Sequence, residues 1–223
     1  MSSMKLFGLF NKTPGAFDKI QGYDDLKQIV SRALDAKDNY NLLFIGPPAS
    51  SKTLFLQGIL EIRKDTVYFD GSNTTNRILD VLEEERPKII LLDELDKMGR
   101  SWQNQLLNFM ESGRVDVEQQ RMQYHFEIKG AKVFATCNEI NRLSKSLQSR
   151  FRKLFLPRYT EEQFLDVSEK VLSKTRYIAA NVWKNGGDIR DVISIGKLVR
   201  KSDGPQEIEL IMETMTKYGS EGK

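Results

Sequence analysis

The sequence predicts an α/β fold: a three-layer domain built on a five-stranded parallel sheet, followed by a small all-helical domain. Three observations carry this. Five short apolar runs alternate with helix-periodic segments as far as residue 157, the pattern of parallel strands joined by crossover helices. Beyond Pro157 the strand-like runs stop and helical periodicity alone continues. The 223 residues suffice for one large α/β domain and a small appendage.

The predicted strands are Asn41 to Ile45, Thr66 to Phe69, Lys88 to Leu92, Lys132 to Ala135 and Lys153 to Leu156. Between them helical spacing covers Asp24 to Ala36, Lys52 to Arg63, Thr75 to Glu85 and Trp102 to Glu111. The large domain then spans residues 1–157 and the small one 158–223. In the second, Thr160 and Gln163 read as a capping box, each side chain satisfying a free N–H at a helix start. Helices follow over Glu161 to Lys174, Arg176 to Lys184, Asp188 to Arg200 and Pro205 to Tyr218, punctuated by Gly186, Gly187 and Gly204.

Composition excludes several function classes. Hydrophobic residues at 39% and charged residues at 29% are ordinary for a soluble globular protein. A net charge of +3 is too weak to require a nucleic-acid partner. One cysteine, Cys137, leaves no internal disulfide and fits a reducing, cytoplasmic compartment. One histidine, His125, weighs against a Ser-His-Asp triad or a His-rich metal site. No apolar run approaches the ~20 residues of a membrane span. The tail, residues 1–14, carries Met4, Leu6, Phe7, Leu9 and Phe10 but not the long apolar core or cleavage site of a secretory signal. It reads as a tail packing on the body, with a docking segment as the alternative.

The first predicted strand runs into Gly46-Pro47-Pro48-Ala49-Ser50-Ser51-Lys52-Thr53. The phosphate-binding loop pattern asks for Gly, four residues, Gly, Lys and then Ser or Thr. Gly46, Lys52 and Thr53 match, and Ser51 replaces the second glycine. Such a loop curls backbone N–H groups around phosphates, and the helix start that follows, with Leu54 next in line, adds positive potential. Lysine reaches the β and γ oxygens of ATP, and the threonine hydroxyl takes Mg²⁺. The competing reading is a Pro-rich turn with an incidental lysine.

The third run, Ile89-Ile90-Leu91-Leu92, is apolar throughout, as a strand buried on both faces requires, and ends in Asp93-Glu94. Carboxylates there sit at the mouth of the sheet, where ligands bind. Asp93 is expected to hold Mg²⁺ through water and Glu94 to polarise the attacking water. The alternative is a solvated acidic turn, since Asp96 follows closely.

These paired motifs resemble the AAA+ ATPase superfamily of P-loop NTPases, and other segments resemble it in the right order over nearly the whole chain. Phe17-Asp18-Lys19-Ile20-Gln21-Gly22-Tyr23 is similar to the segment that cradles adenine, which implies contacts from Ile20, Gly22 and Tyr23. Thr136-Cys137-Asn138 resembles sensor 1, with Asn138 facing the γ-phosphate or the attacking water. Leu147-Gln148-Ser149-Arg150-Phe151 resembles the arginine-finger segment; Arg150 fits it better than Arg152. Gly187-Asp188-Ile189-Arg190 resembles sensor 2 at the start of a helix of the lid, as the small domain is called in this superfamily. Singly, Asn138 reads equally as a turn cap and the arginines as surface charges. The resemblance implies an ATP hydrolase and a homo-oligomeric ring, with Arg150 completing a neighbour's site.

Val115 and Val117, then Tyr124, Phe126 and Ile128, alternate with polar residues, the period of a hairpin turning near Gln119-Gln120-Arg121-Met122. A hairpin before sensor 1 resembles the branch holding the Holliday-junction branch-migration motor (RuvB), the MCM helicases, MoxR and the Lon and ClpX unfoldases. The short helical lid and the finger region look most like the branch-migration motor, without its winged-helix DNA-binding domain. That resemblance implies a DNA substrate touched by the hairpin tip, with a partner protein supplying further DNA binding. A protein-remodelling ATPase and a non-motor nucleotide switch are the alternatives. Gly71-Ser72-Asn73-Thr74 lacks the aromatic-apolar pair that unfoldases place in the pore, which favours nucleic acid; Glu94 argues against a pure switch.

Overall fold

The computed structural model describes residues 17, 20, 22–48, 50–73, 77–119, 122–171, 176–187, 189–200 and 204–219. The N-terminal tail lies outside them. The chain divides into two compact units, residues 1–46 with 51–156, and residues 47–50 with 157–223.

The first unit is built on a five-stranded parallel sheet: β1 (Leu42–Ile45), β2 (Thr66–Asp70), β3 (Ile89–Asp93), β6 (Lys132–Cys137) and β7 (Arg152–Phe155), in the spatial order β2-β3-β6-β1-β7. The three central strands are buried along their length, as a sheet covered on both faces requires. On one face α1 (Asp24–Asp35) and α2 (Lys52–Ile62) contribute Val30, Leu34, Phe55 and Ile59 against Leu42, Phe44, Leu91 and Phe134. On the other, α3 (Arg77–Glu85), α4 (Arg100–Ser112) and the short α5 (Lys145–Ser149) cover Leu43, Ile45, Ile90 and Leu92.

The predicted hairpin forms a separate antiparallel pair, β4 (Arg114–Gln119) and β5 (Met122–Glu127). Val115, Val117, Tyr124, Phe126 and Ile128 are buried in the α3/α4 core. Tyr124 Oη donates to Asp80 Oδ1 of α3 at 2.5 Å, and the Arg86 guanidinium lies 4.8 Å above the Phe126 ring. The hairpin is therefore anchored on its apolar face.

Predicted elements shift by one or two residues where side chains intervene. Asn41 is outside β1: its Oδ1 accepts from Val133 N at 2.8 Å and its carbonyl from Arg152 N at 2.9 Å, so it splices β1 to both neighbours. β7 consequently begins at Arg152. The first helix ends at Asp35 because Lys132 Nζ takes the carbonyls of Ala33, Leu34 and Ala36 at 2.8, 2.8 and 2.5 Å. α5, only five residues, was too short to show a period.

The second unit holds α6 (Glu161–Val171), α7 (Arg176–Lys184), α8 (Ile189–Leu198) and α9 (Pro205–Gly219). Its capping box is reciprocal: Thr160 N donates to Gln163 Oε1 at 3.0 Å and Gln163 N to Thr160 Oγ1 at 3.3 Å. Phe164 and Trp183 pack with ring centroids 5.1 Å apart. Gly186, at φ 74°, ends α7 in the left-handed conformation that glycine tolerates. Among the described residues, no helix is long and apolar enough to cross a membrane.

Candidate functional site

Every strand of a parallel sheet ends on the same side, so the loops after β1, β3 and β6 gather at one edge. The loop after β1 leads into α2, an eleven-residue helix whose first residues are Lys52, Thr53 and Leu54. Lys52 is 7% exposed, and its Nζ donates to Gly46 O at 2.8 Å, folding the side chain back over the loop. Burial pulls its ammonium below the usual lysine range, and the nearby carboxylates of Asp93, Asp96 and Glu94 oppose that shift. Ser50 Oγ donates to Pro47 O at 2.8 Å, and Gly46 N to Cys137 O at 3.2 Å. Pro48 is exposed, Leu54 is half-buried, and Ala49 lies outside the described residues. Ser51 adopts φ 64°, the left-handed region. That explains the glycine of the general pattern: the loop needs positive φ there, and serine adopts it at a strain cost.

Asp93, 7% exposed, receives hydroxyl donors from three elements. Thr53 Oγ1 lies 2.9 Å from Oδ2 and Tyr68 Oη 2.8 Å from the same oxygen, while Thr136 Oγ1 donates to Oδ1. A carboxylate so deep costs free energy unless hydrogen-bonded, and these donors satisfy both of its oxygens. Burial and Asp93 together push the Tyr68 hydroxyl well above its usual range, so it remains a proton donor. The donor set, a hydroxyl and a carboxylate oxygen, is hard and suits Mg²⁺, with lone pairs of Thr53 still available.

Glu94 adopts φ 53°. Its N–H donates to Thr136 Oγ1 at 2.8 Å, and Oε2 pairs with Lys97 Nζ at 2.7 Å. Gly71 packs beneath it: a Cβ there would lie 2.5 Å from the Glu94 carbonyl oxygen. Asp96 is no solvated turn residue. It is 6% exposed and accepts from Asn138 N at 3.2 Å and Glu139 N at 3.0 Å. Asn138 thus stands at the end of β6, half-buried, next to the turn that carries Glu94.

The remaining expected residues fall in several places. Ile20 is buried against Phe55, with Phe17 5.5 Å from the Phe55 ring; Gly22 and Tyr23, at φ 69° and 57°, turn the chain into α1. Arg150 closes α5, half-exposed, its guanidinium paired with Glu111 at the end of α4. Arg152 is exposed on β7. Arg190 lies in α8 with its side chain outside the described residues. Gln119 and Met122 pair across the hairpin, and Gln120 and Arg121 fall outside the described residues. Sequence reasoning missed Tyr68, Thr136 and Gly71 as parts of the site. Only the register of β2 and β6 against β3 brings them to Asp93 and Glu94, and no local pattern encodes that register.

Comparison with known proteins agrees with this geometry. The model of the ATPase family associated with various cellular activities (AAA) matches residues 42–159. Human replication factor C subunit 4 is 25% identical over 226 residues, covering 87% of this chain and 58% of its own length. A putative 26S proteasome regulatory subunit homolog of Methanothermobacter thermautotrophicus is 24% identical, covering 78% of this chain and 55% of its own. The chain thus spans little more than half the length of these curated relatives. Among solved structures, the Thermotoga maritima RuvB Holliday junction branch migration motor superposes with a TM-score of 0.59 at 17% identity, covering 87% of this chain and 69% of that one. A mutant of the same protein reaches 0.65 at 18% identity, covering 88% and 69%. At that identity the likeness is one of fold.

Proposed function

Because this chain belongs to the ATPase family associated with various cellular activities, we propose that it hydrolyses ATP at the site between Lys52 and Glu94. One observation carries the reading: the helix start after β1 and the end of β3 converge until Thr53 Oγ1 is 2.9 Å from Asp93 Oδ2.

The roles follow from chemistry. Backbone N–H groups of residues 50–53 cradle the phosphates at the α2 N-terminus, and Lys52 exchanges Gly46 O for a β or γ oxygen. Thr53 and Asp93 hold Mg²⁺, which when bound neutralises phosphate charge. Glu94 orients a water, whose oxygen bonds to the γ-phosphorus as the bond to the bridging β–γ oxygen breaks. The water's proton passes to Glu94, and ADP leaves with the bridging oxygen. Asn138 fixes the water or γ-phosphate. Ile20, Gly22 and Tyr23 border the adenine, and Arg190 has the sensor 2 role that the resemblance implies. Arg150 enters the site of a neighbouring subunit in a homo-oligomeric ring.

The first test is nucleotide affinity. Lys52→Ala should weaken ATP binding by roughly tenfold or more, the scale of one charge-assisted contact. Equal affinity in wild type and Lys52→Ala would remove the loop from the site.

The substrate moved is DNA, contacted by Gln119, Gln120, Arg121 and Met122 at the hairpin tip, with a partner protein adding DNA affinity. Supporting this are the anchored apolar face of the hairpin, the segment after β2 without an aromatic pair, and the likeness to a branch migration motor. Arg121 and the glutamines suit phosphate and sugar without reading sequence, which makes binding salt-dependent. The proteasomal relative supports the other reading, protein remodelling. ATPase rates with branched DNA, single-stranded DNA and unfolded protein, for wild type and Arg121→Ala at two salt concentrations, separate them. Stimulation by unfolded protein alone overturns the DNA reading.

A further inference from the structure

Asp96 is a carboxylate that the roles above leave unused, yet it is buried and fully committed. It sits two residues after Glu94, within the turn Leu95–Lys97 that follows β3. Its Oδ1 accepts from Asn138 N at 3.2 Å and its Oδ2 from Glu139 N at 3.0 Å. The two oxygens thus grip two successive N–H groups at the turn that leaves β6. The neighbouring Cys137 thiol is also directed at Asp96, and burial with that carboxylate pushes it up to about 12, so it stays an S–H donor. A second stitch lies one strand-residue away: Thr136 Oγ1 accepts from Glu94 N at 2.8 Å and donates to Asp93. β3 and β6 are in register only through Leu92–Ala135, so beyond that point these side chains, and not ladder bonds, join the two turns.

We propose that Asp96 is a positioning residue that fastens the Asn138 turn to the Glu94 turn, so that the two groups acting on the attacking water are held as one unit. This rests on the hydrolytic reading of Glu94 and Asn138. The charge matters: a carboxylate offers two acceptors to two donors. An asparagine in its place turns one of those acceptors into an NH₂, which faces an N–H and opposes it. A buried group that served only stability would act on the whole unit. One that serves positioning acts through Asn138.

Two measurements test it. In the nucleotide-free protein, Asp96→Asn should speed hydrogen exchange at the Asn138 and Glu139 amides by about tenfold, the scale of a lost hydrogen bond to a charged group. Amides in α1 should exchange as in wild type. Unchanged exchange at both positions overturns the proposal without bearing on ATP hydrolysis. The second is a double-mutant cycle on kcat with Asp96→Asn and Asn138→Ala. Each single variant should lower kcat about tenfold or more with nucleotide Kd held, and the double variant should be no slower than Asn138→Ala. Additive losses overturn the positioning role while leaving Asn138 in place. An Asn138→Ala variant with wild-type kcat overturns both. Should Asp96→Asn fail to fold, Asp96→Ser, small and uncharged, enters the same comparisons.

Discussion

Ser51 holds φ 64° at the loop position where the general phosphate-loop pattern has glycine. A left-handed non-glycine residue costs roughly 1–2 kcal/mol, and glycine's greater unfolded-state freedom returns about 0.5–1 of it. Ser51→Gly should therefore stabilise the protein by about 0.5–1 kcal/mol, a rise of roughly 1–4 °C for a chain of this size. Thermal melts decide it; a fall in Tm means that the serine is favoured there by more than its strain. The residues of this site were unevenly legible. Gly46, Lys52, Thr53, Asp93 and Glu94 belong to contiguous patterns that have one chemical purpose. Tyr68 belongs to no pattern: its hydroxyl reaches Asp93 because β2 runs in register beside β3. The sequence showed Asp96 as one more acid in an acidic turn, and only its burial against the 138–139 amides singles it out.

Among the elements, α1 shows how a single distant side chain ends a helix. Its last carbonyls have no partners within the helix, and Lys132, at the start of β6, supplies three N–H donors to them. Burial pulls that ammonium below the usual lysine range, yet the three carbonyls hold it in place. Lys132→Met keeps the apolar stem and removes the donors. It should destabilise the protein by about 3 kcal/mol, because the Ala33 and Ala36 carbonyls lose this donor and Leu34 O keeps only Arg63 Nη1, at 3.5 Å. Urea unfolding would show it as a lower midpoint at unchanged slope; an unchanged midpoint would mean that water or the chain replaces the lysine. Neither residue signals this pairing locally, and the sequence placed α1's end at Ala36, one residue beyond the observed Asp35. The hairpin was more legible, since its period of two alternates over both strands, and the buried set is the one the alternation marks out.

At the scale of the molecule, two charges central to the proposed reaction are each held by an opposite charge. Glu94 pairs with Lys97, and Arg150 pairs with Glu111 across a sequence separation of 39. Both pairs are exposed enough to exchange for nucleotide or water at little cost. If Arg150 serves a neighbour's site, Arg150→Ala subunits mixed with Lys52→Ala subunits regain activity, because one kind of mixed interface carries both intact parts. An arginine finger is worth about 10³ to 10⁵ in rate, so the rescue stands well above background. A mixture that stays inactive although mixed oligomers form places Arg150 outside the neighbour's site, and a rescue that follows Arg152 moves the finger by two residues.

The proposed reaction divides its labour between phosphate binding and water activation. The direct measurement is single-turnover phosphate release from Mg·ATP by wild type and Glu94→Gln, alongside the ATP affinity of each. Glu94→Gln should bind ATP as wild type does, and release phosphate slower by on the order of 10² to 10⁴. Equal binding with phosphate release at the wild-type rate would contradict it.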